Sequence, residues 1–125
     1  MCIRDRDGAA PYLLTRAIGR IKAMEIMLLG ERYPAEKAYA DGLVTRLVED
    51  EDLEKVTDEI ALKFANGPPL SFRMIRQMTW AALDSSFAEE LALERVAQRT
   101  AGRTDDFIEG VSSFREKRKA NFTGN

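Results

Sequence analysis

DGAAPYLLTRAIGRIKAMEIMLLGERYPAEKAYADGLVTRLV, residues 7–48, carries the clearest pattern in the chain. Apolar side chains recur there at helical spacing, and glycines interrupt them at regular points. We expect a first helix to end at Gly19 through a left-handed residue and a second to close on Gly30. A short third helix is predicted between Pro34, which suits a first helical turn, and Gly42, just past the end.

Residues 43–48, LVTRLV, are the one convincing strand candidate, because they are apolar and rich in β-branched side chains. The acidic run Glu49 to Asp52 suits the start of another helix. NGPP, residues 66–69, ends that helix because proline cannot continue the hydrogen-bond ladder. A single strand must pair with something, so we expect its partner to be missing from this chain.

The second half of the chain is predicted to be helical throughout. Residues 70–83 carry an apolar face. SFAE, residues 86–89, reads as a capping box in which Ser86 and Glu89 exchange hydrogen bonds. Thr104 can cap a final helix. Acidic residues in its first turn and basic residues in its last would complement the helix dipole: Asp105, Asp106, Lys117, Arg118 and Lys119.

Composition narrows the class of protein. The chain has 125 residues, 45% of them hydrophobic, and a net charge of −2, which fits one soluble domain and disfavours binding of nucleic acid through bulk charge. Cys2 is the single cysteine and histidine is absent, so an internal disulfide and a four-ligand zinc site are not expected. No apolar run reaches membrane-spanning length or resembles a secretion signal. We expect a cytoplasmic protein with no membrane partner.

Two stretches resemble one known family, the crotonase or enoyl-CoA hydratase/isomerase superfamily. Residues 7–48 are similar to the segment that follows the β-rich core of that family, and residues 93–124, LERVAQRTAGRTDDFIEGVSSFREKRKANFTG, are similar to its closing helices. The resemblance implies a mainly α chain, the C-terminal part of a crotonase-like α/β (ββα-superhelix) fold, with one short strand and about six helices. Residues 7–66 would end the crotonase core, and residues 67–125 would form a helical subdomain for oligomerisation and contact with CoA.

The first six residues fall outside the resemblance. MCIRDR, residues 1–6, reads like the translated end of a transposase adapter used to make sequencing libraries. We expect this segment to be non-native and the native reading to start at Asp7, although an ordinary N-terminus could read the same way. Genomic sequence upstream of Asp7 would decide between the two.

The resemblance implies a reaction of acyl-CoA thioesters. Family members hold the thioester carbonyl oxygen with two backbone N–H groups, which stabilise the enolate that forms when a neighbouring proton is removed. Those donors, and the glutamates that hydratases use to activate water, would precede Asp7. No metal or redox cofactor is implied, and coenzyme A enters as part of the substrate.

Asp7 matches the aspartate of the family's P-D-x-G turn, which acts as acid/base or nucleophile in members that isomerise double bonds. Arg6 stands where the family has proline. The alternative is that Asp7 and Gly8 form only a turn or a helix cap. The resemblance makes Asp7 the candidate catalytic residue and favours an isomerase over a hydratase.

Phe114 and Lys117 match a phenylalanine and a lysine that contact the adenine and phosphate end of CoA, commonly in the site of a neighbouring subunit. An aromatic face can stack on a base, and an ammonium group can pair with phosphate. The alternative is structural: Phe114 would continue the apolar stripe of Phe107 and Val111, and Lys117 would complement the helix dipole.

Tyr12 and Leu13 are further candidates, because the family helix that begins there can line the acyl pocket; core packing is the alternative.

The remaining helices would pack subunits into homotrimers, often paired into hexamers. We therefore expect this chain to be part of an enoyl-CoA isomerase or hydratase of aromatic (phenylacetate) or fatty acid metabolism. The chain by itself is expected to be inactive. A non-catalytic helical interaction module is the alternative function.

Overall fold

The computed structural model describes residues 8–125. Residues 1–6, for which the sequence predicted a non-native origin, lie outside the described residues. So does Asp7, for which it predicted a catalytic role. Within the described part the chain is mainly α, as predicted, and the helices are α1 (Ala10–Ile18), α2 (Arg20–Leu29), α3 (Ala35–Ala40), α4 (Leu53–Ala65), α5 (Pro69–Ala81), α6 (Phe87–Ala101) and α7 (Asp105–Glu116), with one turn of 3₁₀ helix at Asp50–Asp52. These seven α-helices exceed the six or so that were expected.

The helices fall into two compact units that divide between Leu53 and Glu54. In the first unit α1 packs against α2. Asp41, at the end of α3, accepts hydrogen bonds from Lys22 Nζ of α2 and from the Tyr33 hydroxyl, so these three side chains tie α2 to α3. In the second unit α5 packs against α6.

The predicted strand at residues 43–48 is wrong: the described residues 8–125 contain no strand. Gly42, with φ at 77°, instead reverses the chain at the end of α3. The amides of Leu43 and Val44 both donate to the carbonyl of Ala38, at 2.8 and 3.3 Å, which caps the helix. Apolar β-branched residues form a strand only when a neighbouring strand accepts their hydrogen bonds, and the described part of the chain offers none.

The helix ends follow local chemistry closely. Ser86 and Glu89 form the predicted capping box at the start of α6, and Thr104 accepts from the amide of Phe107 at the start of α7. Gly30 ends α2 in the left-handed conformation, whereas Gly19 has a positive φ of 81° with an extended ψ of 156° and separates α1 from α2 without the expected left-handed turn. The sequence thus located these ends correctly and mistook the geometry of one.

Large apolar side chains are poorly covered in both units. Within residues 8–125 the buried hydrophobic residues are Ala23 and Ala38, both small. Ile21 is 83% exposed and Phe87 80% exposed, and the side chains of Leu28, Phe64, Ile75 and Trp80 are also exposed. The apolar helix faces predicted from the sequence therefore exist, but they are surfaces and not the inside of a core.

Candidate functional site

The candidate CoA-contact residues lie at the C-terminal end of α7, in the second unit. Phe114 is in the last turn of the helix and its side chain is 85% exposed. Phe107 and Val111, whose apolar stripe Phe114 would continue in the structural alternative, are exposed as well, and the choice between packing and CoA contact stays a prediction. An exposed aromatic ring of this kind is available for stacking on a ligand.

Phe114 borders an open apolar groove of about 540 Å³. The groove runs between one face of α7, the start of α5, the end of α6 and the segment that follows α7. It is lined by Pro68, Ser71, Ala101, Asp106, Phe107, Gly110, Val111, Phe114, Arg115 and Phe122. Three phenylalanine residues in its lining make it suited to a flat, partly apolar group.

Lys117 lies just beyond α7 and not in its last turn, where it was predicted. Its φ is 55°, in the left-handed region that glycine normally occupies. The amide of Arg118 donates to the carbonyl of Ser113 at 3.0 Å, and that of Lys117 to Phe114 at 3.3 Å, a pattern that closes a helix. The three basic residues 117–119 therefore begin a new segment, and Arg115 is the basic residue of the last helical turn.

Arg118 turns back from this segment onto α7. Its guanidinium pairs with the carboxylate of Glu109, and the amide of Asn121 donates to the same carboxylate at 2.8 Å. These hydrogen bonds, those from Arg118 first, lower the pKa of Glu109 to about 2. In turn, Glu109 and Glu116 raise the pKa of Arg118, so the pair is fully charged at neutral pH.

The other predicted residues, Tyr12 and Leu13, belong to the first unit. Both lie on α1, with 42% and 43% of their side-chain surface exposed. The guanidinium of Arg16 lies 3.6 Å from the ring centre of Tyr12, a cation–π contact one turn along the helix. Neither side chain is packed into a core, and their role in an acyl pocket stays a prediction.

Residues 8–125 contain no cluster of three or more potential metal ligands. No helix in this part of the chain is long and apolar enough to cross a membrane. Sequence reasoning did miss four residues at the candidate site, namely Asp106, Glu109, Arg118 and Phe122. A sequence pattern that could have indicated them is present: Asp106 and Glu109 lie one helical turn apart and are followed by the basic segment REKRK at residues 115–119.

Comparison with known families decides the lineage of the chain. The sequence model of one family, enoyl-CoA hydratase/isomerase, matches residues 6–125, which is nearly the whole sequence. This chain belongs to the enoyl-CoA hydratase/isomerase family. The resemblance seen in residues 7–48 and 93–124 is therefore confirmed.

Individual members of the enoyl-CoA hydratase/isomerase family are similar to this chain in sequence and in structure. The chain is 38% identical over 118 residues to the trans-2-decenoyl-[acyl-carrier-protein] isomerase of Streptococcus mutans, covering 94% of this chain and 45% of that protein. Identity and coverage are the same for the 1,2-epoxyphenylacetyl-CoA isomerase of Escherichia coli. A crystal structure of enoyl-CoA hydratase from Bacillus anthracis superposes with a TM-score of 0.88 at 30% identity, again over 94% of this chain and 45% of that one.

The fold assignment follows from these matches. The helices of this chain adopt the arrangement found in part of the crotonase-like fold, as the sequence predicted. The chain spans slightly less than half the length of each relative named above.

Proposed function

We propose that this chain supplies the CoA-contact surface of an enzyme that isomerises or hydrates the double bond of an acyl-CoA thioester. The observation that carries the proposal is the exposed ring of Phe114 beside the α7 groove, in a chain whose family match extends over residues 6–125. Phe114 would stack on the adenine ring, and Lys117 would pair with phosphate. The family's enolate chemistry would need donors from a part of the fold that this chain does not span.

An isomerase is favoured over a hydratase. Two relatives at 38% identity are named as isomerases, one of an acyl-carrier-protein thioester and one of an epoxide of an aromatic acyl-CoA. Asp7 would be the acid/base or nucleophile of that reaction. Stabilisation of an enolate by backbone N–H groups requires no metal and no redox cofactor, so the acyl-CoA is the one small molecule the proposal needs.

The competing function, an autonomous helical interaction module, would require a self-contained core. The exposure of Ile21, Leu28 and Phe87 in residues 8–125 argues against one. The same surfaces would be covered if the chain were part of a larger subunit that assembles into trimers or hexamers.

A chimera tests the proposal directly. The E. coli relative would keep its N-terminal portion and receive residues 7–125 of this chain in place of its own matching segment. We expect the chimera to turn over acyl-CoA thioesters, and expect Phe114→Ala and Lys117→Ala to raise KM with little change in kcat, because both act on a part of the substrate remote from the reacting bond.

Matched controls are available in the same chain. Phe87→Ala removes another exposed ring, and Lys119→Ala removes another charge of the same basic segment. Neither should change KM. A chimera that unfolds cooperatively on heating but has no activity, or KM values that do not respond to Phe114→Ala and Lys117→Ala, would contradict the proposal.

A further inference from the structure

The segment after α7, residues 118–125, runs back along the helix instead of leaving it. Two carboxylates of α7, one helical turn apart, hold it there. Glu109 binds the beginning of the segment through Arg118 and the amide of Asn121. Asp106, nearer the start of the helix, binds its end, so the segment and α7 are antiparallel.

Asp106 is the more buried of the two, at 7% exposure. Its carboxylate accepts hydrogen bonds from the amides of Thr123 at 2.7 Å and Gly124 at 3.0 Å. Its own amide donates to the main-chain oxygen of Asn125 at 3.1 Å. A charged carboxylate that is shielded from water and accepts two main-chain N–H groups makes hydrogen bonds stronger than those between neutral partners.

This attachment places a ring in the α7 groove. Phe122 lies in sequence between the residues held by Glu109 and those held by Asp106, and it lines the groove together with Phe107 and Phe114. Its ring packs over Gly110, where an added Cβ would lie 3.6 Å from the nearest ring carbon. The main chain at Gly124 approaches Pro69 at the start of α5, so the segment contacts two helices of the second unit.

We propose that Asp106 and Glu109 are positioning residues that hold residues 118–125 against α7 and thereby keep Phe122 in the wall of the groove that receives CoA. The part concerning CoA rests on the proposed function above. Glu109 does not line the groove, and Asp106, which does, uses its carboxylate oxygens to accept from Thr123 and Gly124. Each acts through the segment, which would otherwise be free to leave the helix and take one wall of the groove with it.

Amide hydrogen exchange tests the attachment without reference to activity. In the 125-residue chain, Asp106→Asn removes one of two acceptor oxygens and the negative charge at nearly constant volume. We expect exchange at Thr123 and Gly124 to accelerate roughly tenfold, while amides of α6 keep their rates as an internal measure of global folding. Glu109→Gln should accelerate exchange at Asn121 in the same way.

Asp105→Asn is the matched control. Asp105 is adjacent, exposed and also in the first turn of α7, but its carboxylate makes none of these hydrogen bonds to residues 118–125. The control therefore reproduces the loss of a negative charge near the helix N-terminus. Unchanged exchange at Thr123 and Gly124 in Asp106→Asn, or an equal acceleration in Asp105→Asn, would overturn the proposal.

Ligand binding supplies the second measurement. In the chimera described above, Asp106→Asn should raise KM for an acyl-CoA by roughly threefold or more and leave kcat unchanged, because the groove is complete in a smaller fraction of molecules. Faster exchange with an unchanged KM would overturn the positioning role. A chimera without any affinity for CoA would contradict the proposed function, whereas the exchange rates would still support or contradict the attachment by Asp106.

Discussion

The guanidinium of Arg118 and the carboxylate of Glu109, nine residues apart, form two parallel hydrogen bonds: Nη1 to Oε1 at 2.6 Å and Nη2 to Oε2 at 2.8 Å. This two-pronged geometry is particular to arginine, since lysine presents a single ammonium group. It joins the middle of α7 to the beginning of the segment that follows the helix, and it makes that end of the attachment dependent on the charge of Glu109.

A pH dependence follows from the low pKa of Glu109. Its pKa is lowered from an ordinary 4.5 to about 2, so the folded state favours the ionised carboxylate. The stabilisation is complete above the unfolded pKa and is lost as the pH falls from about 4.5 through 2. Free energies of unfolding measured by urea titration should therefore differ between the wild-type chain and Glu109→Gln at pH 6, and the difference should shrink towards pH 2. A difference that stays constant over this range would contradict the assignment.

Gly67 offers a test of close packing before α5. A Cβ at this position would lie 2.2 Å from the ring of Phe72, which itself packs edge-on against Phe64 with ring centres 5.7 Å apart. Gly67→Ala should destabilise the chain by about 1–3 kcal/mol, because the ring must move. Thermal unfolding measures the loss. In a Phe72→Ala background the same substitution should cost little, and an equal cost in both backgrounds would show that the ring is not the cause.

The capping box of α6 predicts a smaller effect. Ser86 Oγ accepts from the amide of Glu89 at 3.4 Å, and the Glu89 carboxylate accepts from the amide of Ser86 at 2.8 Å. Ser86→Ala should lower the free energy of unfolding by about 1 kcal/mol. Ser112→Ala, in the interior of α7, is the matched control and should be neutral or slightly stabilising. Equal losses from the two substitutions would contradict a capping role.

Self-association is predicted for the chain made by itself. Exposed large side chains such as Ile21, Phe87 and Phe114 lie on surfaces that a monomer leaves in water. Sedimentation velocity should show concentration-dependent oligomers, and assays with enoyl-CoA thioesters should show no turnover. A species that stays monomeric as its concentration is raised would favour the helical module instead, and measurable turnover would contradict the need for residues outside the chain.

Local signals were sufficient for most of the secondary structure. Gly30, Ser86 and Thr104 act through hydrogen bonds to residues within a few positions, so the sequence reveals them directly. The predicted strand at residues 43–48 failed for the opposite reason. A strand depends on a distant partner, and its composition is equally compatible with an irregular segment that follows a capped helix.

The candidate site was only partly visible in the sequence. Phe114 and Lys117 were identified through the family resemblance. The spacing of apolar residues along the chain does not by itself indicate a ligand contact at either position. Nothing in the sequence indicated that Lys117 adopts a left-handed conformation, because lysine has no preference for it. The pairing of Asp106 with residues 123 and 124 was hidden as well, since it depends on that reversal of the chain.

The conformation of Lys117 makes one backbone position the pivot for everything after α7. Replacing lysine by a residue that strongly disfavours positive φ, such as valine, would redirect the last eight residues. It would do so although none of those eight residues had itself been changed. Replacing it by glycine would preserve the reversal and discard only the ammonium group. The two substitutions therefore separate the task of steering the main chain from that of carrying charge, two roles that a single side chain performs here.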